Sequence, residues 1–166
     1  MHPFEGHIRS VPDFPKKGIT FKDISPLLQE RFPEVIAAMC EGINWNEIDY
    51  IVGIESRGFI LGSAMAVFKN KGFIPVRKIG KLPPPTISES YTLEYGTDTL
   101  EMIVNTKLAR VVLVDDVLAT GGTLRAVMNL CQKNNYEVKA LSLLINLTFL
   151  NKFKEEGHPV FSVLNY

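Results

Sequence analysis

Charge of one sign is the first thing this sequence lacks. Across 166 residues, 18 Lys and Arg face 18 Asp and Glu, so the formal net charge is zero. A general nucleic-acid or anionic-membrane binder needs a basic excess, and neither class fits. Any anion site must be gathered locally. Cysteine is almost absent too: Cys40 and Cys131 sit in the apolar contexts AAMCEGI and VMNLCQK, without metal-ligand spacing. They read as two buried free thiols in a reducing compartment, and zinc is not supported. The three histidines, His2, His7 and His158, lie near the ends of the chain without a neighbouring ligand cluster and read as surface or terminal groups. No run approaches the roughly 18–20 apolar residues of a spanning helix, and the opening MHPFEGHIRS lacks the apolar core of a signal peptide. A cytoplasmic enzyme with no membrane or nucleic-acid partner is the expectation, as one domain over residues 1–166.

What is present is an alternation of strand-like and helix-like segments. Ser25-Pro26 reads as an N-cap with proline at N1. Leu27, Leu28, Phe32, Val35, Ile36 and Met39 follow at helical spacing, and Pro33 is expected to divide that helix. Tyr50 to Ile54 suits a strand buried on both faces. It is followed by a turn over Glu55 to Gly58 and a helix from Phe59 to Phe68 that Gly72 would stop. Phe73 to Arg77 reads as a strand, Lys81 to Thr86 as a proline-rich loop, and residues 91–104 as a hairpin turning at Gly96-Thr97-Asp98. Val111 to Val114 is a further buried strand, ahead of a helix presenting Leu124, Val127, Met128 and Cys131 on one face. Val138 to Leu147 and Val160 to Leu164 supply the last strands, with a short helix expected around Phe149 to Glu156. Such alternation predicts an α/β fold with a mostly parallel central sheet flanked by helices, and ligands beyond the carboxyl ends of its strands.

At one of those ends stands VVLVDDVLATGGTL, residues 111–124. Two glycines between strand and helix allow backbone N–H groups to approach a ligand, and the helix N-terminus adds about half a positive charge. That is a phosphate cradle, to which Thr120 and Thr123 add hydroxyls. Asp115 and Asp116 would repel phosphate, so they suit sugar hydroxyls or a Mg²⁺ ion brought by a polyphosphate. The segment is not a Walker A loop, having no Lys after the glycines, and lacks the G-x-G-x-x-G spacing of a dinucleotide fold.

DDVLATGGT resembles the phosphoribosyl-pyrophosphate (PRPP) motif of the type I phosphoribosyltransferases. IRSVPDFP, GITFKDISP, ESRGF, RKIGKLP and SYTLEYG, in that order along the chain, resemble the adenine-specific branch of the family. The resemblance implies a type I phosphoribosyltransferase fold with a small hood, about residues 1–30, and a flexible hairpin lid, about residues 82–104. It also implies purine salvage by adenine phosphoribosyl transfer: adenine and PRPP give AMP and pyrophosphate in the presence of Mg²⁺.

By the same resemblance, Asp115, Asp116, Ala119, Thr120, Gly121, Gly122 and Thr123 would bind PRPP. Ser56, Arg57, Gly58, Arg77, Lys78 and Lys81 would hold pyrophosphate. Thr20, Phe21, Lys22 and Val117 would form the adenine pocket, with Glu94 as acid/base group at purine N7 and Tyr95 beside it. No direct metal site is implied; Mg²⁺ would arrive on PRPP, with Asp115 or Asp116 as its contact. A homodimer is also implied. Lys22 stands where many relatives carry Arg, and Pro84 replaces a frequent Gly. Two alternatives stay open on the sequence: a 6-oxopurine as the base, or a PRPP-sensing regulator without turnover. The second would need a DNA-binding element for which the chain has neither spare length nor basic charge.

Overall fold

A computed structural model of the chain describes residues 2–93, 96–153 and 158–166. Near the N-terminus, β1 (Arg9–Val11) pairs antiparallel with β2 (Phe21–Asp23) in a separate two-stranded ribbon, which the sequence reading did not anticipate. The chain continues through α1 (Ser25–Met39), β3 (Tyr50–Ile54), α2 (Arg57–Lys69) and β4 (Gly72–Lys78). After β5 (Thr86–Leu93) and β6 (Gly96–Ile103) come β7 (Ala109–Leu118), α3 (Gly122–Lys133), β8 (Tyr136–Asn146) and β9 (Val160–Asn165). The main sheet has the order β5-β6-β4-β3-β7-β8-β9; β4, β3, β7, β8 and β9 run parallel, and the β5–β6 hairpin is antiparallel at one edge.

Strand alternation divides the core into two layers. Ile51, Val112 and Val114 point to the layer filled by Leu27, Val35 and Met39 of α1 and Leu61 and Met65 of α2. Val52, Val111 and Leu113 point to the other, filled by Leu124, Val127, Leu130 and Cys131 of α3 with Leu100 and Met102 of β6. A strand covered on both faces must be apolar throughout, which is why β3 and β7 read as continuous runs rather than alternating ones. Each fully buried aliphatic side chain contributes about 1.5–3 kcal/mol. Both cysteines are buried free thiols, as expected.

Several expectations are corrected. The division of α1 near Pro33 is not among them: Ser25–Met39 is two helical stretches meeting at a kink, where Arg31 leaves helical geometry (φ -136°, ψ 26°). The kink arises because a proline removes the bond that would tie its own turn to the preceding one. The start of α1 is not capped by Ser25: the Asp23 carboxylate accepts the Ser25 N–H at 2.9 Å and holds Arg9 at 2.7 Å. Helix α2 ends at Lys69 with left-handed Asn70 (φ 52°), and Gly72 opens the next strand instead of ending the helix. Gly96, Thr97 and Asp98 are paired residues of β6, with Leu93 opposite Gly96. The turn expected at Gly96-Thr97-Asp98 is therefore absent from those positions, and residues 94–95 lie outside the described residues. Residues 148–150 form a turn rather than a helix, and residues 151–153 have no regular structure; the rest of that expected helix lies outside the described residues. Finally, β7 continues to Leu118, so the two aspartates lie inside a strand and not after it.

Candidate active site

The carboxyl ends of β3 and β7 are neighbours, with Gly53 opposite Val114, and each strand leads into a helix at that edge. Helix α2 starts at Arg57 and α3 at Gly122, and neither N-terminus has a side-chain cap. Two helix N-termini without side-chain caps, with their positive dipole ends, thus face the same edge, with the aspartates between them. This convergence requires close backbone approach at Gly58, where a Cβ would lie 2.8 Å from the Val114 carbonyl oxygen and 3.1 Å from Asp115 Oδ1. Gly121 has φ +89°, and a Cβ there would collide with the Phe153 ring, on which Arg125 stacks at 4.8 Å. Glycine alone suits this position, which needs both a left-handed backbone and room under the Phe153 ring.

Asp115 is partly buried and Asp116 is 7% exposed. Burial pushes the Asp115 carboxyl well above the usual carboxylate range, and the charge of Asp116 raises it further. Burial also raises Asp116, against the pull of the Arg57 guanidinium. Asp115 Oδ1 accepts the Asp116 N–H at 2.9 Å. Arg57 Nε lies 2.7 Å from Asp116 Oδ2, yet that oxygen receives no aligned hydrogen bond. The contact is Coulombic, and the buried oxygen keeps its capacity to accept a hydroxyl.

Arg57 is the centre of this arrangement. Its guanidinium lies 4.8 Å from the centroid of the Phe21 ring and donates to the Lys22 carbonyl at 3.3 Å. Phe21 also packs edge-on against Phe14. Through one side chain, the N-terminal ribbon is joined to the acid pair of the main sheet. The Lys22 ammonium turns away, to Ser10 Oγ at 3.0 Å and over the Tyr166 ring. Val117 and Ala119 pack against the α1–α2 core layer, while Thr20 and Thr120 are exposed.

Arg77, Lys78 and Lys81 gather one step outward. Glu55, at the end of β3 beside Ser56, accepts from Arg77 Nε at 3.2 Å and from the Lys78 backbone at 3.0 Å. Arg77 donates to the Lys81 carbonyl, and the buried Glu101 carboxylate accepts the Lys81 and Leu82 N–H groups at 2.8 and 2.9 Å. Lys78 Nζ pairs with Asp98 at 3.2 Å. Three of the four anticipated cations, Arg57, Arg77 and Lys78, thus carry a carboxylate partner, which is how a chain of zero net charge keeps them together.

The comparisons with known proteins agree with one another. A family model described as the phosphoribosyl transferase domain matches residues 27–158. The adenine phosphoribosyltransferase of Bdellovibrio bacteriovorus is 51% identical over 96% of this chain and 96% of its own. The chain belongs to the phosphoribosyltransferase family. Among solved phosphoribosyltransferases, the adenine enzyme of Rhodothermus marinus superposes with a TM-score of 0.88 at 45% identity, over 98% of this chain and 96% of its own. The Saccharomyces cerevisiae enzyme, solved as a complex with a dideoxy-imino-altritol bisphosphate and adenine, gives 0.87 at 34% identity over 96% of each chain. The expected type I phosphoribosyltransferase fold is therefore established.

Within that phosphoribosyltransferase frame the structure joins Phe21, Lys22, Arg57, Gly58, Asp115 and Asp116 directly. Among the described residues, Arg77 and Lys78 meet Glu55, which follows β3, rather than the acid pair itself, and Lys81 joins them through its carbonyl. Glu94 and Tyr95 lie outside the described residues. Sequence reasoning missed Glu55, Phe153 and Tyr91. Each is a residue whose role comes from a partner more than 20 positions away, and only the placement of Glu55 next to Ser56 gave a signal.

Proposed function

We propose that this chain transfers the 5-phosphoribosyl group of PRPP to N9 of adenine, giving AMP and pyrophosphate for purine salvage. The observation that carries the reading is an acid pair, Asp116 buried and Asp115 partly so, set between two uncapped helix N-termini at adjacent parallel strand ends. One cradle, Ala119 to Thr123 with the start of α3, suits the 5-phosphate. The other, Ser56 to Gly58 with the start of α2, suits pyrophosphate, with Arg77, Lys78 and Lys81 beside it. Asp115 and Asp116 accept the ribose hydroxyls between the two. Phe21 stacks on the base, Thr20 and Val117 flank it, and the Lys22 carbonyl supplies the acceptor that a 6-amino group needs and a 6-oxo group does not. That carbonyl, together with the naming of the relatives, favours adenine.

In the reaction the N9 lone pair forms the bond to C1, the C1–oxygen bond breaks, and pyrophosphate leaves with that electron pair. The purine proton passes to the Glu94 carboxylate, with Tyr95 helping to keep water from C1. Mg²⁺ fits as a passenger on PRPP: two carboxylates, one with an oxygen lacking a hydrogen bond, suit an ion that keeps phosphate and water ligands. Among the described residues no cluster of three or more His, Cys, Asp or Glu converges as a resident site. When bound, the ion neutralises charge on the pyrophosphate. The chain acts as a single domain in the cytoplasm and as a homodimer; support for the dimer comes from the exposed apolar residues Ile60, Val67 and Phe68 on α2.

The test is product formation from PRPP and Mg²⁺ with adenine, hypoxanthine, guanine or xanthine in parallel. AMP and pyrophosphate in equal amounts from adenine alone are expected. PRPP binding without turnover of any base would move the chain to the sensor class. Asp116→Asn should keep the fold and weaken PRPP binding by about 10- to 100-fold, the value of a hydrogen bond to a charged acceptor.

A further inference from the structure

The outer strand of the edge hairpin, β5, does not stand free. It lies along α3 and is fastened there at two points. At one, Glu89 pairs with Lys133 and accepts from Asn129 at 3.3 Å, near the C-terminal end of the helix. At the other, two strand residues later on the same face, Tyr91 reaches the first turn of α3: Thr123 Oγ1 donates to the Tyr91 hydroxyl at 3.5 Å. The Tyr91 ring edge also comes within 3.7 Å of the point where a Gly122 side chain would begin. A phenol therefore stands over the glycine-rich loop.

That contact is long for two hydroxyls, whose usual separation is about 2.7–2.8 Å. Each hydroxyl can both donate and accept, so at this separation neither proton is firmly held by the other oxygen and both stay available to a stronger acceptor. Two hydroxyls at this spacing above uncapped amides leave room for a single anionic oxygen that accepts from both. We infer that Tyr91 is a 5-phosphate-binding residue: its hydroxyl donates to the phosphate held by the loop and so ties occupancy of that loop to the strand that leads to Glu94. The inference rests on the function proposed above. It adds a phosphate contact from outside the glycine-rich loop, contributed by an element that packs on α3 rather than following it in sequence.

Tyr91→Phe keeps the ring, which packs against the α3 core layer, and removes only the hydroxyl. The measurements are steady-state constants for PRPP and adenine, together with calorimetric affinities for AMP and adenosine. The expected result is a weakening of about 10- to 100-fold in the PRPP KM and in AMP affinity, the range for a hydrogen bond to a charged group. The adenine KM and adenosine affinity should stay unchanged. Thr123→Val and the double variant should show a shared, non-additive loss. Unchanged AMP affinity in Tyr91→Phe, or equal weakening of AMP and adenosine, would overturn the assignment. If the wild type binds AMP more tightly than adenosine but makes no nucleotide, the transfer reaction fails while the Tyr91 assignment is still decided by the binding pair. A wild type that does not favour AMP over adenosine overturns both.

Discussion

Asp115 and Asp116 show what a binding site costs at the scale of one residue. Asp115 is held above its ordinary range by burial, so in the folded chain it takes up a proton more readily than in the unfolded chain. Its contribution is favourable below the unfolded value and is lost as pH rises through the folded one. At neutral pH it is therefore a burden on stability. Asp115→Asn should raise the melting temperature near pH 7, and this advantage should shrink as pH falls toward 4, while PRPP affinity drops. Thermal unfolding across that pH range checks the sign; a variant destabilised at neutral pH would show a structural carboxylate instead. Asp49 behaves oppositely. Hydrogen bonds from Arg110 hold its carboxyl at about 2, so its stabilising effect is present above pH 4 and fades as pH falls toward 2. The chemistry of the acid pair was legible in the sequence because DD before TGGT is unusual in charge alone. The role of Arg57 as a bridge was not, since ESRGF gives no indication that its guanidinium meets Phe21, Lys22 and Asp116 together.

Among the elements, the β5–β6 hairpin divides into a rooted part and a free part. Leu100, Glu101 and Met102 are 2% exposed or less, and Leu100 and Glu101 pair with the end of β4, whereas Thr92, Gly96 and Thr97 are exposed. Replacing residues 92–97 by a two-residue Asn-Gly turn removes the free part together with Glu94. Turnover should fall by at least about 10²-fold, the usual contribution of an acid/base group, while the melting temperature changes little. Equal losses in both would mean that the tip supports the fold. Strands β3, β7 and β8 were legible because unbroken runs of Val, Ile and Leu have few alternatives to a sheet covered on both faces. The β1–β2 ribbon was not: its three-residue strands show no alternation, and their pairing is fixed by Arg9 and Asp23, 14 positions apart. The hairpin turn was misplaced for a related reason. Gly96 and Asp98 are turn-forming residues by composition, but the register is set by the eight paired positions of β5 and β6.

Viewed as a whole molecule, the chain exposes large apolar side chains in its loops and strand ends, such as Phe14, Ile79, Leu108 and Phe149, but on one helix, α2, three of them stand between positions 60 and 68. On α2, Ile60, Ser63, Ala64 and Val67 share a face by their three- and four-residue spacing, with Phe68 at its margin. Val67 is 84% exposed and Phe68 56%. The opposite face supplies Leu61 and Met65 to the core, so the helix is apolar nearly all round. An all-apolar helix is the pattern of an element buried from both sides, and an exposed apolar patch of this kind marks an association surface. The same helix begins at Arg57, so a second copy docked on it would brace the pyrophosphate cradle from outside. Val67→Asp is therefore expected to convert a dimer to a monomer in sedimentation equilibrium, with the far-ultraviolet circular dichroism unchanged because Val67 contributes nothing to the core. Activity should fall with the dimer and return at high protein concentration. A wild-type chain that sediments as a monomer at every concentration would leave the apolar face of α2 to another partner, and the proposed homodimer would be wrong.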